Sequence, residues 1–272
     1  MLRFLPLLAL AAIPLVTANP ATPAAPSVQA AQDAQDAATE LFAADGIHLD
    51  RKIGFLAVET QVQVTNELLE YLLVGAAGAA HESLLLTEST PSLINAAILS
   101  LGLNQGKNAR YEAIDPPPTE EELRAGARSH DIVLPEGDGL LPYLAWREGE
   151  EIYLLRAEDA ICDLAAGRSM RRHRWVYLGS RFTVLRGQEE EVYVADVEQN
   201  LINLAFFTEG NSLATAALPE CQIQTIWRAN PWLVPPPGAQ ILLVLSKDPL
   251  TELPPELVQR LPEPDRERQA DR

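Results

Sequence analysis

The segment Gly75–Gly106, GAAGAAHESLLLTESTPSLINAAILSLGLNQG, changes its hydrophobic rhythm halfway along. From His81 to Glu88 the pattern alternates. A strand here would put His81, Ser83, Leu85 and Thr87 on one face and Glu82, Leu84, Leu86 and Glu88 on the other. Beyond it the apolar residues recur every third or fourth position. Leu93, Ile94, Ala97, Ile98 and Leu101 form one helical stripe, with Thr90 as N-cap, Pro91 at the first helical position and Gly102 as the stop. Glu88 would stand near the positive end of that helix.

The strand reading bears on the His81-Glu82 pair. A zinc protease motif places two histidines one helical turn apart, in the order H-E-x-x-H, but the fifth residue here is Leu85. Neighbouring strand residues point to opposite faces, so His81 and Glu82 would not share an ion without a bulge. His81 is expected to be a structural or surface residue; in a functional role it would work with Ser83 and groups from another strand.

Outward from this segment the chain is rich in strands. GIHLDRKIGFLAVE, residues 46–59, reads as a hairpin, and LEYLLVG, residues 69–75, as a further strand. DPPPTEEELRAGA begins a short helix in which Thr119 and Glu122 have capping-box spacing. LLPYLAW and EIYLLR make a second hairpin, AEDAICDLAAG predicts a helix closed by Gly167, and RWVYLGSRFTVL, EVYVAD, LINLAFF and QILLVL follow as strands. Helices interrupt singly, without regular β-α alternation. The expected fold class is therefore α+β, with a mostly antiparallel or mixed β-sheet and a few single helices.

Both ends differ in composition from this middle. Arg3, the apolar run Phe4–Leu15 and Val16-Thr17-Ala18 read as a signal peptide over 1–18. Residues 19–45, rich in Ala, Pro and Gln, are expected to be a disordered linker with at most a transient helix over 29–42. A single compact domain would span 46–246, and the Pro- and charge-rich residues 247–272 would be a tail. These features predict an exported protein, periplasmic or secreted, with no stable membrane insertion after signal cleavage.

Charge and motif content narrow the chemistry. A net charge of −17 over 272 residues disfavours nucleic acid and anionic lipid as partners. Two cysteines, Cys162 and Cys221, cannot supply the four usual ligands of an iron-sulfur cluster; the exported compartment permits a bond between them, and spacing leaves that pairing open. There is no G-x-S-x-G, P-loop or G-x-G-x-x-G, and no cofactor is expected. DVEQN offers Asp196 and Glu198 with Cα atoms ~6.6 Å apart if the strand continues, enough for a cation or paired acid-base work, though a polar turn is the simpler reading. GRSMRRHRWVY gathers Arg168, Arg171, Arg172, His173 and Arg174, either to grip an acidic partner or as a solvated loop offset by nearby acids.

AAHESLLLTESTPSLINAAILSLGL, followed by RWVYLGSRF, VYVADVEQNLINLAFF and PPPGAQILLVL, resembles the YdjY-domain family of exported bacterial proteins. The resemblance runs in dispersed blocks over most of 46–245. It implies that His81, Glu82, Ser83, Trp175, Tyr177, Gly179, Ser180, Asp196 and Glu198 match family motifs, and it carries no established reaction. All of these except Gly179 are the ligand-binding candidates. The leading expectation is a non-enzymatic binding or envelope-associated module that recognises an unknown ligand or envelope protein with one sheet face. The alternative is a metal-assisted hydrolase drawing His81 together with Asp196 and Glu198.

Overall fold

The structure, a computed structural model, describes residues 28–263. The expected signal peptide, the first part of the linker and the end of the tail lie outside the described residues. The chain divides into a unit of residues 1–36 and a compact unit of residues 37–272.

Helix α1 (Val28–Ala44) leads into β1 (Ile47–Asp50) and β2 (Phe55–Val62). Next come β3 (Tyr71–Gly75), β4 (Ser83–Thr87), α2 (Pro91–Ser100), β5 (Arg110–Ala113), α3 (Glu120–Arg124) and β6 (His130–Val133). The middle of the chain holds β7 (Gly139–Glu148), β8 (Glu151–Arg156), β9 (Ile161–Asp163), β10 (Arg168–Ser169) and β11 (Trp175–Tyr177). After β12 (Phe182–Val184) and β13 (Glu191–Tyr193) come α4 (Val194–Glu198), β14 (Asn200–Asn203), β15 (Ala214–Thr215), β16 (Trp227–Ala229), β17 (Gln240–Ser246) and α5 (Pro255–Val258). The class is α+β and dominated by mixed and antiparallel sheet, as the sequence pattern predicts.

Eight strands close into a barrel in the order β2, β17, β7, β11, β15, β14, β3, β4, and β4 returns to β2 at Leu86↔Gln61 and Leu85↔Val62. The β14–β15 and β3–β4 seams are parallel and the other six are antiparallel. Closure leaves no unpaired edge in the ring. It depends on two strands that divide one edge between two partners. On β2, Phe55–Val58 pair with β1 and Gln61–Val62 with β4. On β7, Gly139 and Leu140 pair with β11 and Tyr143–Glu148 with β8, and Pro142, which has no N–H, falls at the hand-over.

Alternation fills the inside and greases the outside. Ile241, Leu243 and Leu245 of β17, Leu144 and Trp146 of β7, and Leu56 and Val58 of β2 join one core, which Ile94, Ala97 and Ile98 of α2 extend. The intervening Leu242 and Val244, Tyr143 and Ala145, and Phe55 and Ala57 form a second apolar cluster, covered by Leu253, Leu257 and Leu261 around α5. Buried side chains on both faces explain why these strands read as near-continuous apolar runs.

Several expectations are corrected. Over its described part the disordered linker is α1. Its Ala-rich sequence favours helix, and Phe42 in its last turn is buried in the main core. The tail expected from 247 onward is packed as far as Leu261, because three leucines at 253, 257 and 261 meet the outer apolar cluster. AEDAICDLAAG is not a helix. A 3₁₀ turn over Ala157–Ala160 leads to β9, and Asp163 Oδ1 accepts from the N–H groups of Ala165 and Ala166 to turn the chain into β10. His81 and Glu82 do not lie on the strand: Ala80–Glu82 form a 3₁₀ turn and β4 begins at Ser83. EVYVAD stops being a strand at Tyr193, and Asp196 and Glu198 sit on α4, so the extended spacing between them does not exist. The switch from strand to helix between Thr87 and Pro91 stands as read.

Candidate functional site

Helix α2 organises the largest group of candidate residues. The N–H groups of its first turn have no partner inside the helix. Thr90 supplies the N-cap position but no side-chain cap bond. Two carboxylates from other elements do that work: Asp45 Oδ2 accepts from Thr90 N at 2.6 Å, and Asp196 Oδ1, reaching over from α4, accepts from Ser92 N at 2.7 Å. Glu88, the acid expected there, is exposed. On the same helix Asn95 Oδ1 receives the Tyr177 hydroxyl at 2.6 Å. Burial pushes that phenol up to about 12, so it remains a proton donor at neutral pH.

β11 leaves the barrel through Gly179 and Ser180, both left-handed, with φ of 71° and 54°. A Cβ on Gly179 would lie 2.9 Å from the Tyr177 hydroxyl, which leaves room for glycine alone. Ser180 accepts the strain because every polar atom it has is held. Its N–H donates to Ser212 O, its Oγ to Asn211 O at 2.6 Å, and its carbonyl accepts from Gln105 Nε2. Tyr193 donates its hydroxyl to Gly179 O at 2.9 Å. Asn211 completes the arrangement: its Nδ2 donates to both Glu198 oxygens at 2.8 Å, and its Oδ1 accepts from Arg181 Nε.

Tyr177, Ser180, Asp196 and Glu198 are thus tied into one polar collar through α2 and Asn211. The other candidates stand apart from it. Ser83 is fully buried and donates to Leu85 O at 2.7 Å on its own strand. His81 is largely exposed, and Glu82, 3.7 Å away, is its described ionic neighbour. Glu82 also lies against Glu70; partial burial, then repulsion from Glu82, holds the Glu70 carboxyl above its ordinary range. Trp175 is buried and donates Nε1 to Glu158 Oε1 at 3.1 Å.

Glu158 was not legible as a site residue, yet it is the most deeply buried charge described, with zero exposure. Arg156 grips it with Nε and Nη2, and the His173 N–H and Trp175 indole complete its shell. His173 donates or accepts through both ring nitrogens, toward Arg171 O at 2.9 Å and Ala217 N at 3.1 Å. Since Ala217 N–H can only donate, Nε2 is the acceptor and Nδ1 carries the proton. Desolvation keeps this imidazole below its ordinary value of 6.5.

Three of the four arginines in the basic run are neutralised, as the offset reading expects. Arg171 and Arg168 pair with Glu220, and Arg172 with Asp159. Cys162 and Cys221 are both free, and burial pushes the Cys221 thiol up to about 12, far from a reactive thiolate. Among the described residues no group of three or more His, Cys, Asp and Glu side chains is placed to hold a metal ion. The structure does not bring His81 together with Asp196 and Glu198. The hydroxyls of Ser83 and Ser180 donate to backbone carbonyls rather than to a base.

The described side-chain bonds of the collar run to backbone and to one another, with Asp196 Oδ2 left over. The residues that do most of this work without a prior signal are Asn211, Asn95, Asp45 and Glu158, common residue types in unremarkable surroundings. Gln199 and Asn200 belong with them: Gln199 Oε1 accepts from Ala77 N and Asn200 Oδ1 from Ala79 N, pinning the GAAGAA loop beside β14. In comparisons with known proteins, no family model, curated protein or solved structure matches the chain.

Proposed function

We propose that the chain is an exported, non-enzymatic binding module in which a filled barrel holds out one stiff arm, residues 110–133, to a protein partner of the cell envelope. The reading keeps the resemblance to the YdjY-domain family, and it is supported by the fold contacts that Tyr177, Ser180, Asp196 and Glu198 of those motif blocks make.

One observation carries this reading. From Arg110 to Asp131 nearly every residue is exposed, although the segment is ordered as β5, α3 and β6. Its base is clamped: Lys107 and Glu136 exchange backbone hydrogen bonds at 2.8 and 3.1 Å and pair through their side chains at 2.8 Å. The tip is fixed by the capping box of Thr119 and Glu122. A pre-organised element loses little entropy when a partner docks. Tyr111 and Leu123 are exposed on it, amid six acidic and three basic residues. The matching partner would present basic groups around an apolar patch.

The test is photo-cross-linking in the native host, with a photoreactive residue at position 111 or 123 and a control at exposed Ile152. A discrete adduct from the arm and none from the control supports the reading. No adduct from the arm, or the same adduct from all three positions, contradicts it.

A further inference from the structure

Arg174 is the member of the basic run that no carboxylate claims. Its Nη1 donates to Gly139 O at 3.3 Å and Lys247 O at 2.6 Å, which fixes the guanidinium and leaves Nε and Nη2 without a described partner. Lys247 lies beside it. Its Nζ donates to Leu101 O at the C-terminal end of α2 at 2.8 Å, and two of its three N–H groups remain. The two cations line a cavity of about 420 Å³ with Asp138, Asp248, Leu103 and the glycines 102, 137 and 139. That volume is in the range of small-molecule sites.

The two acids are as well placed as the cations. Asp138 is held by Asn104 through its N–H at 2.7 Å and its Nδ2 at 2.9 Å, and these bonds keep the carboxyl below its ordinary range and charged. Only Oδ2 is used. The side chain of Asp248 takes no part in the described hydrogen bonds; its carbonyl receives Ser246 Oγ. In a chain of net charge −17, two cations and two acids line one cavity with no direct ion pair among them, although Lys247 helps hold Asp138 charged, whereas Arg168, Arg171 and Arg172 nearby each meet a carboxylate. A simple anion here would meet Asp138 and Asp248. A simple cation would meet Arg174 and Lys247. A ligand carrying both signs satisfies all four.

We propose that this cavity binds a small zwitterion of the amino-acid class, its carboxylate on Arg174 and Lys247 and its ammonium on Asp138 and Asp248. A planar guanidinium suits a carboxylate, and at Gly102, where a Cβ would meet nothing within 4 Å, a small ligand can approach the backbone, whereas Gly137 and Gly139 are packed against Gly106 and against Arg174 and Trp175. This site is separate from the arm, and its test does not depend on the arm's role.

Calorimetric titration of the full chain with glycine, L-alanine and L-glutamate tests it, beside acetate and methylammonium as single-charge probes. Saturable binding of at least one amino acid, tighter than either single-charge probe, is the expected result. Asp248→Asn, which breaks no described contact, should weaken it by about tenfold or more, the loss of one charged hydrogen bond. Lys247→Met should do the same with the melting transition still cooperative. If no amino acid binds, if acetate binds as tightly as the amino acids, or if Asp248→Asn leaves affinity unchanged, the proposal is overturned.

Discussion

Glu158 shows most clearly how this chain uses its polar residues. A carboxylate removed from water costs several kcal/mol unless its charge and lone pairs are met, and here an arginine, an indole and a backbone N–H meet them. Removing one side of such an arrangement strands the other. Glu158→Ala is expected to cost ~3–5 kcal/mol in urea unfolding, by leaving Arg156 unpaired. His173 on the edge of this cluster gives a pH signature. Its folded-state value is depressed by burial, despite the raising influence of Glu158, so the unfolded chain takes up a proton first as pH falls. The stability it lends is complete above its ordinary value of 6.5 and is lost as pH falls from there through the lower folded-state value. Melting temperature should therefore drop as pH falls below 6.5, and drop less in His173→Gln. None of this was legible, because the rhythm of AEDAICDLAAG suits a helix with Glu158 facing water. The Arg156 that buries it lies two residues away, in what reads as the end of a hairpin strand.

At the scale of elements, α2 was read correctly in position and incompletely in cause. Thr90, Pro91 and Gly102 mark its ends as local signals should. Its electrostatic finish comes from Asp45, Asp196 and Lys247, each far away in sequence. Capping by a distant residue leaves no pattern in a local window. The same limit applies to α5. KDPLTELPPELVQRL reads as a tail because proline and charge dominate, yet the three spaced leucines find an apolar outer wall made by Phe55 and Ala57 of β2, Leu141, Tyr143 and Ala145 of β7, and Leu242 and Val244 of β17. Leu257→Ala is predicted to cost ~2–4 kcal/mol by opening that contact, measured by denaturant unfolding. The arm offers the contrasting case. Replacing residues 110–133 by a Gly-Ser link should leave the cooperative melting transition in place, since among its residues only Ile114, Pro118, Ile132 and Val133 are even partly buried. Loss of cooperative melting would show that the arm belongs to the core.

For the whole molecule, strand content and class were readable from the alternation, and closure was not. A barrel exists because β4 crosses to the free end of β2 and because β7 changes partner at Pro142. Both are long-range pairings that hydrophobic period cannot specify. The collar around Tyr177, Ser180, Asp196 and Glu198 stands where β11 leaves that ring, and its bonds run to α2, to Asn211 and to backbone. A sequence motif of this kind looks like a reaction centre because polar residues recur at close spacing, whereas here it is the joinery of the barrel.

That claim has a direct measurement in the urea unfolding of Asp196→Ala beside His81→Ala. If the motif is architectural, Asp196→Ala loses ~1–2 kcal/mol, the worth of a helix N-cap, while exposed His81→Ala stays within ~0.5 kcal/mol of the parent chain. Equal, negligible effects at both positions would contradict the account and return Asp196 to the list of residues kept for chemistry.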